Sequence, residues 1–168
     1  MTDLQELLAN LPPLRKPRVS KPRPVPIPQH CKDRYQQAHE LNFKTEYPSA
    51  YPDKYFQPVI PDVRKANGLT QVIVKFLLWN GHRATRISSS GRMVKGKYIP
   101  GATRKGAADI SATIRGKSVM LEIKIGADKP SEFQLREQEL ERKAGGVYEF
   151  IHNFDQFLTW YDNFIINN

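Results

Sequence analysis

Between Gly81 and Lys124 the chain carries ten Lys or Arg residues and only two acids, Asp109 and Glu122. The apolar residues around those acids decide where the carboxylates point. Before Arg115-Gly116 they are Ile110, Ala112 and Ile114; after it they are Val119, Leu121, Ile123 and Ile125. Side chains alternate faces along a strand. An even-numbered apolar set on a strand over 109–114 and an odd-numbered set on a strand over 118–125 share one core face only in a particular register. That register puts Asp109, Ser111 and Thr113 on the opposite face, together with Glu122 and Lys124. A two-residue turn at Arg115-Gly116 sets Asp109 directly across from Glu122, with β-carbons about 4.5–5.5 Å apart. Carboxylates so close repel each other. They suit a divalent cation with oxygen ligands, since Mg²⁺ takes one or two carboxylates and keeps waters for a substrate. Lys124, on the same face, is placed to neutralise developing negative charge or to orient and help deprotonate an attacking water. Metal, water and ammonium together form a set suited to phosphodiester hydrolysis. The same pattern also fits a charge pair on a solvated face with no chemistry at all.

The surroundings favour a polyanionic partner. The chain has a net charge of +9, which suits nucleic acid or an acidic surface. Arg83 and Arg86 on the preceding strand, and Arg92, Lys95, Lys97, Arg104 and Lys105 in the loop after it, are the candidate phosphate contacts. A membrane span is not expected, because no apolar run approaches the ~20 residues it needs, and the N-terminus lacks a secretory pattern. Cys31, the single cysteine, has no internal disulfide partner, so a reducing cytoplasm is expected. His30, Cys31 and His39 are too few and too loosely spaced to read as a zinc site. Ser88-Ser89-Ser90-Gly91 reads as a flexible loop touching backbone phosphates.

The elements that must position these residues follow from periodicity. Leu69, Val72, Ile73, Phe76 and Leu77 form the apolar stripe of a helix that stops at Asn80-Gly81. A strand over 83–88 follows, then a loop to about Ala107, then the hairpin. Ser131, spaced as a capping box with Gln134, opens a helix ending at Gly145-Gly146. A strand over Val147–Ile151 precedes a last helix capped by Asn153 and Gln156, whose stripe (Phe154, Phe157, Leu158, Tyr161, Phe164 and Ile165) reads as core. The order α-β-β-β-α-β-α spans residues 61–168. Residues 1–60 hold ten of the thirteen prolines and read as a basic, largely disordered tail, with a short amphipathic helix over 2–11 that needs a surface to dock on.

At Lys105-Gly106-Ala107-Ala108-Asp109-Ile110, Leu121-Glu122-Ile123-Lys124 and Ser131-Glu132-Phe133-Gln134 the sequence resembles the PD-(D/E)XK nuclease superfamily. Within it the sequence is similar to the VRR-NUC and Holliday-junction resolvase branch, over about residues 67–151. The resemblance implies a restriction-endonuclease-like α-β-β-β-α-β core, a mixed sheet flanked by helices, here with an added C-terminal helix and the N-terminal tail. It implies Mg²⁺ or Mn²⁺ held by Asp109, Glu122 and the main-chain carbonyl of Ile123, with Lys124 and Gln134 as catalytic partners. Two positions depart from the family pattern. Ala108 replaces the proline before the aspartate, and Gln71 stands near the place of an acid usually supplied by the first helix. That leaves one-metal, two-metal and inactive sites open. The implied activity is a metal-dependent endonuclease cutting branched or junction DNA in replication or recombination, with a homodimer suited to symmetric cuts. It also implies a bacterial or phage origin. The alternatives are a catalytically inactive nucleic-acid-binding protein of the same fold, and a chain whose tail binds another protein.

Overall fold

The hairpin register follows from the turn. Arg115 and Gly116 both take positive φ, 51° and 79°, the arrangement of a two-residue turn whose twist matches that of the flanking strands. Pairing then runs Ile110↔Leu121, Ala112↔Val119 and Ile114↔Lys117, which is the expected register. The computed structural model describes residues 27–87, 92–94, 96–99 and 105–168. In chain order their elements are α1 (Gln29–Glu46), α2 (Ala66–Trp79), β1 (Arg83–Arg86), β2 (Arg92–Val94), β3 (Lys97–Ile99), β4 (Ile110–Ile114), β5 (Lys117–Ile123), α3 (Glu132–Lys143), β6 (Val147–Ile151) and α4 (Phe154–Asn167).

The main sheet has the order β1-β4-β5-β6. β1 and β5 run antiparallel to β4, and β6 runs parallel to β5, so the sheet is mixed. Leaving aside α1 and the β2–β3 ribbon, the order is α-β-β-β-α-β-α, as expected of a restriction-endonuclease-like core with a C-terminal helix. The parallel β5–β6 pair requires a crossover, and α3 supplies it.

One face of the sheet carries the core. Ile110, Ala112 and Ile114 of β4 and Val119, Leu121 and Ile123 of β5 are buried there with Leu69, Val72, Ile73, Phe76 and Leu77 of α2 and Phe154, Phe157, Leu158, Tyr161 and Phe164 of α4. The stripes on both helices are those their spacing predicts. Asn153 caps α4 by accepting the backbone N–H of Gln156, as expected. The opposite face is covered by α3, which packs against β6.

Three expectations need correction. Residues 1–60 are not a uniform tail: α1 is an 18-residue helix whose Cys31, Tyr35 and Ala38 join the core. Tyr35 is fully buried, its ring 4.8 Å from that of Trp79 and 6.0 Å from that of Phe154. Such aromatic pairs contribute about 0.5–1.5 kcal/mol beyond their buried area, which explains how a helix of low apolar content is held. Second, β2 and β3 form a separate two-stranded ribbon inside the segment expected to be loop. Third, β1 ends at Arg86 rather than at residue 88. The helix expected over 2–11, the proline-rich stretch up to Pro26 and the serine loop lie outside the described residues.

Candidate active site

Asp109 stands immediately before β4 and Glu122 near the end of β5, so continuing the register pairs them across the two strands. Asp109 is anchored at both main chain and side chain. Its carbonyl accepts the N–H of Ile87 at 2.8 Å, which continues the β1–β4 pairing. Its Oδ2 accepts the backbone N–H of Ile123 at 3.0 Å. The carboxylate is therefore turned across the hairpin toward β5.

Glu122 and Lys124 lie on the face covered by α3. They are only 6% and 4% exposed, so this is not the solvated charge pair that the sequence alone also allowed. Lys124 Nζ is 3.2 Å from Glu122 Oε1 and 3.5 Å from Asp128 Oδ2. Gln134, in the first turn of α3, donates its side-chain N–H to the same Glu122 Oε1. A buried ion pair is costly to desolvate, and one beside another carboxylate marks a functional candidate. Burial, reinforced by the negative charge of Asp109, pushes Glu122 up to about 6 despite Lys124. Among the described residues the donors reach one oxygen of each carboxylate, Oδ2 of Asp109 and Oε1 of Glu122.

The floor of the site includes a residue that sequence reading missed. Tyr148 on β6 pairs with Met120 on β5, which puts it on the Glu122 face. It is buried, and its hydroxyl donates to the carbonyl of Gly106 at 3.1 Å. Burial and the charges of Glu122 and Asp109 raise its pKa well above the ordinary phenol value. Only the parallel β5–β6 register reveals this neighbour, and no local pattern specifies that register. Asp128, the second partner of Lys124, was missed as well; its signal was the i,i+4 spacing from that lysine.

Gly106 fixes the approach to Asp109. Its φ is +85°, and a β-carbon there would meet the carbonyl oxygen of Phe133 at 2.5 Å. Only glycine lets the chain pass this close to the start of α3. A cavity of about 160 Å³ opens beside it, bounded by Ala108, Met120, Tyr148 and Glu137. A larger cleft of about 440 Å³ lies at the start of α4 and includes none of the residues expected to act.

The expected phosphate contacts do not converge on the carboxylates. Arg83 pairs with Thr113, which puts it on the Glu122 face but at the far end of β1. That is four residues from Ile87, or roughly 14 Å at about 3.4 Å per residue. Arg86 pairs with Ile110 and so belongs to the other face, where it donates to Oδ1 of Asn67 at 2.6 Å. Three residues apart on a strand, the two arginines must diverge. Lys105 is exposed near the start of α3, its Nζ 5.3 Å from the centre of the Phe133 ring. Lys95 and Arg104, and the side chains of Arg92 and Lys97, lie outside the described residues. Gln71 is exposed on α2, and the described part of the carboxylate site contains no residue of α2.

The chain is similar to a VRR_NUC domain. The likeness to that solved structure covers 58% of this chain and 96% of that one, at 24% sequence identity and a TM-score of 0.43. No protein-family model and no curated protein matches the sequence. Among the described residues, no helix is long and apolar enough to cross a membrane.

Proposed function

We propose that the protein is a divalent-metal-dependent endonuclease that hydrolyses DNA phosphodiester bonds at Asp109, Glu122 and Lys124. The observation that carries this reading is the burial of Glu122 and Lys124, in contact, on the sheet face they share with Asp109. Two neighbouring carboxylates, with hard oxygen donors, fit Mg²⁺ or Mn²⁺. Asp109, Glu122 and the carbonyl of Ile123 would hold the ion. Bound there, such an ion polarises a phosphate oxygen and lowers the pKa of a ligated water.

The protein's own groups divide the remaining tasks. The Ile123 N–H and the hairpin hold Asp109 in place. Gln134 and Lys124 hold Glu122 with one oxygen occupied. Lys124 presents an ammonium where negative charge would grow on a scissile phosphate, the kind of fixed charge that stabilises such a transition state. Lys105 and Arg83 would touch backbone phosphates of a broad substrate. Such contacts read the layout of phosphates rather than base identity, which suits branched or junction DNA, and symmetric cuts in a junction would call for a homodimer.

The test is cleavage of labelled four-way junction, flap, duplex and single-stranded DNA with Mn²⁺, with Mg²⁺ and with chelator. Cutting that needs the metal and disappears in Asp109→Asn and Lys124→Ala supports the reading. Tight, salt-sensitive binding without cutting under any of these metals would replace it with a binding protein of the same fold.

A further inference from the structure

The N-termini of α1 and α4 meet at a corner that includes none of the carboxylate-site residues, and there three side chains of different donor type converge. Cys31 Sγ is 3.3 Å from Nε2 of His30 and 3.7 Å from Oδ1 of Asp155, and Nε2 is 2.7 Å from that same Oδ1. From these contacts we infer that His30, Cys31 and Asp155 form a binding site for a borderline-soft divalent cation such as Zn²⁺.

The geometry distinguishes this from a thiol relay. In a relay the imidazole passes a proton between its two nitrogens, so the thiol and the carboxylate engage different ring atoms. Here both approach Nε2, which gathers one sulfur, one nitrogen and one oxygen around a common point. With zinc–ligand bonds of about 2.0–2.3 Å, tetrahedral donors sit roughly 3.3–3.6 Å apart. The sulfur distances already fall close to that range, and the nitrogen–oxygen contact needs to open by about half an ångström. His30 and Asp155 are more than half exposed and have room to do so. Cys31 is fully buried and fixes the inner vertex.

The charge balance agrees. A thiolate and a carboxylate neutralise a dication, and the backbone N–H groups at two helix N-termini favour anionic ligands. Binding replaces the thiol proton: the S–H bond breaks, a metal–sulfur bond forms, and one proton leaves to solvent. The imidazole binds through its Nε2 lone pair. Asp155 also borders the 440 Å³ cleft with His152 and Arg64, which gives water access to a fourth position. The number and spacing of His30, Cys31 and His39 argued against a zinc site; the third donor, Asp155, comes from 124 residues further along the chain than Cys31.

The full-length protein, stripped with chelator and kept reduced, is titrated with Co²⁺ and then with Zn²⁺ against a chromophoric chelator. We expect a near-ultraviolet thiolate-to-cobalt band that saturates at one equivalent, that Zn²⁺ abolishes and that excess Mg²⁺ leaves alone, since a thiolate selects against a hard ion. Cys31→Ser should remove the band, and Asp155→Asn and His30→Ala should each weaken binding at least tenfold. Asp109→Asn should leave it unchanged. His30 is exposed, so His30→Ala tests the site without disturbing the core. Absence of the band, or a His30→Ala protein whose band titrates with undiminished affinity, overturns the assignment.

Discussion

The side-chain amide of Gln134 donates to Oε1 of Glu122. The same amide accepts the backbone N–H of Ser131 at 2.9 Å, and Ser131 Oγ accepts the N–H of Gln134. A helix cap and a buried carboxylate thus share one side chain, so the start of α3 cannot shift without moving Glu122. Ser131→Ala, which removes only half of the cap, should cost about 1 kcal/mol and leave most of the proposed cleavage activity. Gln134→Ala should cost about as much stability and in addition lower cleavage by tenfold or more. Thermal melts beside single-turnover cleavage rates separate the two effects.

Glu122 gives the metal-free protein a pH signature. Its pKa in the folded protein is about 6, against an ordinary value of 4.5. A raised carboxylate holds its proton better in the folded state. Its stabilising contribution is thus full below pH 4.5 and is lost as pH rises through 6. The shift corresponds to about 2 kcal/mol. Stability of the chelated protein should fall across that window, and Glu122→Gln should flatten the fall. Metal affinity should run the opposite way and weaken below pH 6, because a proton competes with the ion. Urea melts at several pH values, with and without Mn²⁺, check both signs.

Lys124 is buried between two acids. Removing it leaves Glu122 without its charged partner, so Lys124→Met should raise the pKa of Glu122 further and abolish cleavage, while the fold survives with a methionine in the space. Lys124→Arg should not restore activity, since a planar guanidinium does not place a point charge in the same position. Circular dichroism shows the fold, and cleavage rates show the loss.

Gly106→Ala should destabilise the protein by about 2 kcal/mol or more. It combines a positive φ with a backbone contact at 2.5 Å, and strain of that kind costs on the order of 1–3 kcal/mol. Denaturant titration measures the loss directly.

Much of this arrangement is written in residue parity. The alternation of Ile110, Ala112 and Ile114 against Val119, Leu121 and Ile123, with a glycine at the turn, gives the hairpin register without reference to distant chain. The caps at Ser131 and Asn153 and the stripe of α2 are equally local. The divergence of Arg83 and Arg86 was also legible, since an odd spacing on a strand puts them on opposite faces. α1 carries a helical signal too, with Cys31, Tyr35, Ala38 and His39 as its buried positions. It is masked by a proline-rich frame and by a stripe built partly of cysteine and histidine. What no local pattern contains is the covering of Glu122 and Lys124 by α3, the approach of Tyr148, and the meeting of Cys31 with Asp155. Each depends on contacts between segments whose separation in sequence says nothing about their register.

The account turns on Asp109 and Glu122 sharing one ion. Titration of Mn²⁺ into the chelated full-length protein, followed by loss of the free-ion electron paramagnetic resonance signal, measures that most directly. The predicted result is a site that disappears in Asp109→Asn and in Glu122→Gln and persists in Cys31→Ser. Manganese uptake of the same affinity and stoichiometry in all three variants would contradict it.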